Sequence, residues 1–399
     1  MNFDGIYIHV PFCKQACSYC DFYFTTRSKY IPEFVHTLQR EVMQFPEYVS
    51  GIVKTLPEEV QRPDFSNPTD TLYFGGGTPS RLKIPDLQSI LFSLRSVFNL
   101  NLLREFTVEV NPEDINPEYL SGLKEMGVTR LSMGIQTFKP ELLTFMHRAH
   151  DTQQAEHALA LVSQAGFDAF SVDVIYGCPG QSLEDVQDDL DRLLAYNPHH
   201  VSAYSLTIEP ATRLGKQFKL GRIRPPVDDL VHSQATFIRE HLAKNGIIQY
   251  EISNYARPGF EAIHNASYWS HKNYVGLGPS AHSFLWPVDH HSAFRFSNPA
   301  SLKDYVQCVE EPPSAPVNLE TLSYSELAEE RILLGLRTKS GVYSDRLSSR
   351  YRYSWSPPQQ TLIQELRKDG LLEPDEPLRL TASGRMLADS IVLKLLRLN

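Results

Sequence analysis

One pattern restricts this chain most. Through its first half, short apolar runs alternate with stretches whose apolar residues recur every three to four positions. The runs read as strands at Gly5–Val10, Thr71–Phe74, Phe106–Val110, Arg130–Ile135, Phe170–Ile175 and Val201–Leu206. Helices are predicted between them over Tyr30–Phe45, Ile84–Phe98, Pro117–Met126, Pro140–Ala165 and Leu183–Tyr196. Leu87, Ile90, Leu91 and Leu94 make one helical stripe, and Val186, Leu190, Leu193 and Leu194 another. Such repetition predicts a parallel sheet with right-handed crossovers. It suits a (β/α) barrel, or three-quarters of one, and equally a doubly wound open sheet. In either, function collects at the C-terminal strand ends.

The remainder reads as additional units on this α/β core. Glu47 to Asp70 holds three prolines and no clear periodicity, so a surface loop is expected there. Pro225-Pro226 precedes a helix over Asp228–Lys244, and Pro312, Pro313 and Pro316 mark a boundary. Beyond it, helices are expected at Ser325–Thr338, Ser344–Tyr351 and Gln359–Asp369, a short strand at Leu378–Thr381 and a helix at Ser383–Leu398. That order resembles a small winged-helix unit. The expected division is residues 1–210 for the partial barrel, 211–315 for a mixed α/β extension and 316–399 for the helical unit. Net charge is −9, which does not favour a nucleic acid or an anionic membrane as partner. No apolar run reaches the ~18–20 residues of a membrane span.

Cysteine placement carries the chemistry. Of five cysteines, three stand together as Cys13-x3-Cys17-x2-Cys20, directly after the first strand; Cys178 and Cys308 lie apart. An odd, sparse set does not suit a disulfide framework, and the N-terminus does not read as a secretion signal, so a reducing, cytoplasmic setting is expected. A zinc site would want a fourth Cys or His nearby, and Asp21, Phe22, Tyr23 and Phe24 follow instead. Thiolates are the usual ligands of iron–sulfur clusters. Three of them on a four-iron cluster leave one iron open to a ligand. The spacing resembles the radical S-adenosylmethionine (SAM) superfamily, in which that iron chelates the methionine portion of SAM.

Other strand ends are polar. The second strand runs into Gly75-Gly76-Gly77-Thr78, where missing side chains let a ligand approach the backbone. Glu109, Gln136 and Asp173 sit at or near the ends of the next strands, with Arg148 on the helix between two of them. Polar groups recurring along one rim predict a ligand pocket.

Nearly the whole chain resembles the oxygen-independent coproporphyrinogen III oxidase family. The resemblance rests on Ile6-Tyr7-Ile8-His9-Val10-Pro11-Phe12-Cys13, the triple-glycine turn, Asn111-Pro112-Glu113, Gly134-Ile135-Gln136, Asp173 to Gly177 and Gly276-Leu277-Gly278-Pro279-Ser280-Ala281. The family has two branches, the oxidase and the HemW heme chaperones. The oxidase carries a further cysteine where this chain has Phe22, and a longer stretch ahead of the triplet. His264-Asn265-Ala266-Ser267-Tyr268-Trp269 matches the His-Asn-x-x-Tyr-Trp segment of the chaperone branch. Imidazole is an axial heme ligand, and Tyr and Trp can stack on a macrocycle.

The resemblance implies a [4Fe–4S] cluster on Cys13, Cys17 and Cys20. It implies SAM contacts at Tyr7, Tyr19, Gly76, Gly77, Thr78, Glu109, Gln136, Arg148 and Asp173, with Thr207 and His282 acting through backbone. It implies heme as a further ligand, with His264 in its binding site, and apo-hemoproteins as partners; a homodimer is compatible with it. The competing implication is SAM-dependent oxidative decarboxylation of coproporphyrinogen III.

Overall fold

Six of the apolar runs form the parallel centre of one sheet. In the computed structural model, which describes residues 2–54, 63–287, 291–311 and 318–398, these are β1 (Gly5–Val10), β2 (Thr71–Gly76), β3 (Glu105–Val110), β4 (Arg130–Gln136), β5 (Ala169–Tyr176) and β6 (His200–Ser205). Ile6, Ile8, Leu72, Phe74, Val108, Leu131 and Val172 are almost wholly buried. Near-continuous apolar strands of this kind belong in a sheet covered on both faces.

Strand order separates the two readings left open by periodicity. β1 to β6 lie side by side in chain order. A doubly wound sheet reverses its order at a switch point; this one does not. Nor does it close. The outer edge of β1 pairs in parallel with β9 (Tyr274–Leu277), and that of β6 pairs antiparallel with β8 (Asn254–Ala256). Beyond β9 lie β10 (His282–Leu285), β11 (Ser292–Ser297) and β12 (Glu320–Ser323), and beyond β8 lies β7 (Ile248–Gln249). Among the described residues the architecture is therefore a six-stranded partial barrel inside a twelve-stranded mixed sheet.

Several boundaries differ from expectation. The first helix, α1 (Ile31–Lys54), runs on into the segment expected to be loop, with Pro46 inside it. Pro46 costs a backbone hydrogen bond; burial of Phe45 and Val49 in the core outweighs that cost. After α2 (Ile84–Val97) and α3 (Pro117–Glu125), the helix expected at Pro140–Ala165 is two, α4 (Pro140–Met146) and α5 (Thr152–Gln164). His147 ends α4 in the left-handed conformation, φ 58°, and Asp151 begins α5 with a reciprocal cap to Gln154. Arg148 therefore lies on a loop rather than a helix.

The chain continues with α6 (Leu183–Leu194), an unforeseen α7 (Arg213–Lys219), the expected α8 (Asp228–Lys244), α9 (Ile263–Trp269) and α10 (Leu302–Glu310). The proline boundary at 312–316 lies outside the described residues. The last part folds as α11 (Tyr324–Leu336), α12 (Ser344–Tyr351), α13 (Pro357–Lys368), α14 (Ala382–Met386) and α15 (Ala388–Leu396). The expected final helix breaks at Leu387, and Leu378 and Leu380 form isolated bridges rather than a strand. These helices bury Leu327, Ile332, Ile391 and Leu395 in a second core that also takes in Phe284 from β10, Trp286 just after it and Ala293 from β11.

Candidate functional site

Where β1 ends, the chain turns over the strand ends and presents Cys13, Cys17 and Cys20 to a cavity of about 490 Å³. The same cavity is walled by Gly76 at the end of β2, Gly77 and Thr78 just after it, Glu109 from β3 and Gln136 from β4. Arg148, Asp173, Tyr19 and Thr207 complete it, so these expected positions do converge. Tyr7, His264 and His282 are not among the lining residues. Tyr7 lies beneath, its hydroxyl 3.2 Å from His9 Nδ1. His282, at the start of β10, is exposed and paired through its backbone to Ser297.

The glycines are required by crowding. A Cβ on Gly77 would stand 2.9 Å from Val10 O and 3.0 Å from Phe12 O, both backbone of the cysteine loop. On Gly75 it would meet Glu109 Oε1 at 3.0 Å. Gly76 has φ +106°, which only glycine adopts freely. The cysteine loop and the β2 turn can thus approach closely, and Gly77 N donates to Val10 O at 2.9 Å.

Charged groups are held in place before any ligand arrives. Glu109 accepts from Tyr73 OH at 2.7 Å and Gly76 N at 3.1 Å. Burial, with Asp173 nearby, lifts its carboxyl to about 7. Burial likewise lifts Asp173 to about 6, against hydrogen bonds from Ser202 and Ser132. Arg148 spans the floor of the site: Nη2 donates to Asn111 Oδ1 at 2.9 Å and Gly134 O at 2.8 Å, and Nη1 to Cys17 Sγ at 3.5 Å. Thr78 Oγ1 donates to Cys13 Sγ at 3.6 Å. Asn111, Ser132 and Tyr204 also line the cavity and were not singled out as ligand contacts from sequence. Of these, Asn111 carried a signal, the Asn111-Pro112-Glu113 stretch.

These residues fit an iron–sulfur cluster. Three thiols share a cavity wall, and a hydroxyl and a guanidinium already point at two of the sulfurs, as electron-rich thiolates require. Burial holds the free Cys13 thiol up at about 12 and raises Cys20, so loading the site would release protons. A bound cluster would supply an open iron and an electron. Beyond the thiols the cavity carries Glu109, Asp173, Arg148 and Gln136, groups able to hold an ammonium, a carboxylate and ribose hydroxyls.

His264 stands apart from the cavity lining. It is 1% exposed, packed face to face on Tyr73 with ring centroids 5.0 Å apart. Its Nδ1 lies 2.8 Å from Thr71 Oγ1 and its Nε2 2.8 Å from Tyr268 OH. Both nitrogens are engaged, and desolvation pushes the ring down to about 3. In this arrangement the ring supports Tyr73, which in turn holds Glu109.

The carboxyl values yield a pH prediction. Both groups sit above their usual range, so ionising them costs folding free energy, and ligand-free stability falls as pH rises from about 4.5 to about 7. A ligand ammonium facing Glu109 favours the ionised form. SAM affinity should therefore rise between pH 6 and 8 by several-fold, and Glu109→Gln should flatten the profile. Equilibrium binding across that range tests this; a flat wild-type curve would refute it.

Comparison with known proteins agrees with the geometry. The Radical SAM superfamily model matches residues 7–193, and the HemN C-terminal domain model residues 322–387. The solved coproporphyrinogen III oxidase (HemN) from Escherichia coli superposes with a TM-score of 0.79 at 23% identity, covering 98% of this chain and 89% of that one. Fold and cysteine-lined cavity together define a radical SAM protein. Heme chaperone HemW of Lactococcus lactis is 32% identical over 394 residues, covering 98% of this chain and 97% of its own. HemW of Bacillus subtilis is 32% identical over 389 residues, 96% of this chain and 97% of that one. That of Escherichia coli is 36% identical over 281 residues, 70% and 69%. The chain belongs to the HemW heme-chaperone family.

Proposed function

We propose that this protein binds heme and hands it to apo-hemoproteins such as respiratory enzymes, with a [4Fe–4S] cluster on Cys13, Cys17 and Cys20 and SAM in the adjoining cavity. The observation that carries the reading is similarity to HemW chaperones along almost the full length of both chains, joined to the three thiols on one cavity wall. Phe22 supports it. At the position where the oxidase branch has its further cysteine, the side chain is 71% exposed at the cavity mouth and offers apolar surface.

SAM is held by the triple-glycine turn, Glu109, Gln136, Arg148 and Asp173, and Thr207 closes one side. No helix among the described residues is long and apolar enough to cross a membrane. The unpaired thiols suit a cytoplasmic setting. A homodimer is compatible with this reading.

Titrating the reconstituted protein with heme tests it. A saturable shift of the Soret band and transfer of heme to an added apo-hemoprotein are expected. Absence of saturable binding would overturn the reading. So would anaerobic conversion of coproporphyrinogen III to protoporphyrinogen, which belongs to the competing oxidase chemistry.

A further inference from the structure

A second cavity, about 180 Å³, opens where the end of β5, α8 and the β7–β8 pair meet the C-terminal helices. Tyr176 from the end of β5, His232 and Arg239 from α8, Gln249 and Tyr255 from β7 and β8, and Arg385 from α14 line it. No Asp or Glu is among its lining residues. In a chain with net charge −9, two arginines facing one cavity without a carboxylate are anomalous.

Neither guanidinium is well satisfied. Arg385 Nη1 donates to Leu380 O at 3.3 Å, while its buried Nε has no hydrogen-bond partner. Among the described residues it forms no ion pair; Glu373 acts on it only at a distance. Arg239 reaches its sequence neighbour Glu240 at 3.6 Å, and that carboxylate is itself largely exposed. The two cations are close enough that Arg239, after burial, disfavours the charge on Arg385. Two like charges held together at a half-buried junction are a cost that a bound anion removes. Planar forks are suited to the paired oxygens of carboxylate or phosphate. Tyr176 and Tyr255 share the same wall.

We infer that this junction is an oxyanion site, in which Arg239 and Arg385 clasp a carboxylate or phosphate group between the barrel and the C-terminal unit. Tyr176, on the wall of this cavity, is hydrogen-bonded to Ser205, which lines the first. Two sources share the chemistry: a propionate of heme, which rests on the proposed function, and a free phosphate.

The test uses full-length protein. Inorganic phosphate should raise the thermal midpoint of wild type in a saturable way and leave the Arg239→Gln/Arg385→Gln double variant unmoved. Arg239→Lys should weaken the response without abolishing it, and the midpoint without phosphate reports whether each variant folds. In parallel, heme and heme dimethyl ester are titrated. A tenfold or greater loss of heme affinity in the double variant, with the ester unaffected, assigns the site to propionate. Unchanged heme affinity alongside the phosphate effect assigns it to a free anion. If neither phosphate nor heme binding depends on the arginines, the inference fails. A wild type that binds no heme overturns the proposed function instead, and the phosphate arm still judges the cleft.

Discussion

Replacing any one of Cys13, Cys17 or Cys20 by alanine should abolish the iron–sulfur absorbance of anaerobically reconstituted protein and, with it, measurable SAM binding. The three thiols line one cavity and no fourth cysteine joins them: Cys178 is fully buried with Leu142, Met146 and Ile175. Each is expected to hold its own iron, so no spare ligand compensates for a loss. The effect should be all-or-none, whereas Cys178→Ala and Cys308→Ala should leave the chromophore intact. The folded state should survive, because each cluster cysteine is only partly buried and the loop is anchored by its backbone: Cys13 N donates to Thr25 O at 3.0 Å and Ser18 N to Met146 O at 3.0 Å. Iron and sulfide analysis beside circular dichroism decides. Retention of a full cluster by any of the three variants would remove the basis of the site.

The largest expected stability loss lies at Glu105, at the opposite end of the barrel. α9 begins at Ala262, which has no side chain able to cap it. Glu105, from the start of β3, does so across the sheet, accepting from Ile263 N and His264 N at 2.9 Å each. Its carboxylate also lies 3.9 Å from Arg130, whose Nη1 donates to Phe260 O at 3.0 Å, and both side chains are only 6% exposed. Glu105→Ala would strand two helix N–H groups and a buried guanidinium together. Removing one partner of a buried pair costs roughly 3–5 kcal/mol. Urea unfolding should show a loss of that order, with Glu105→Gln intermediate because it keeps an acceptor. A loss below about 1 kcal/mol would mean that the caps contribute little. Since α9 carries His264, which braces Tyr73 beneath Glu109, SAM affinity should fall even where the variant remains folded.

That chain of contacts explains what could and could not be read from residues alone. β1 to β6 were legible because each sets apolar residues between helical stretches over the length of a strand, and the cysteine triplet because its spacing is local. The role of His264 was not local. Its partners Thr71 and Glu105 are 193 and 159 positions away, and a sequence shows only that a histidine precedes a tyrosine and a tryptophan. Arg148 was found as a polar residue but misplaced on a helix. The apolar spacing of α4 carries into α5, while the break is made by His147 in left-handed backbone and by the hydrogen bonds of Arg148 itself. β7 and β8 are two and three residues long, too short for alternation to register.

The unclosed sheet has a consequence for association. Both flanks of the parallel strands are already paired, so the ribbon ends at β7 and β12, of two and four residues. Free backbone edges are where folded chains exchange strands or aggregate, and short ones give such pairing little purchase. Among the described residues, then, any contact with another chain would fall to side chains. Recognition of that kind can be tuned one substitution at a time, without disturbing the sheet that holds the cavity.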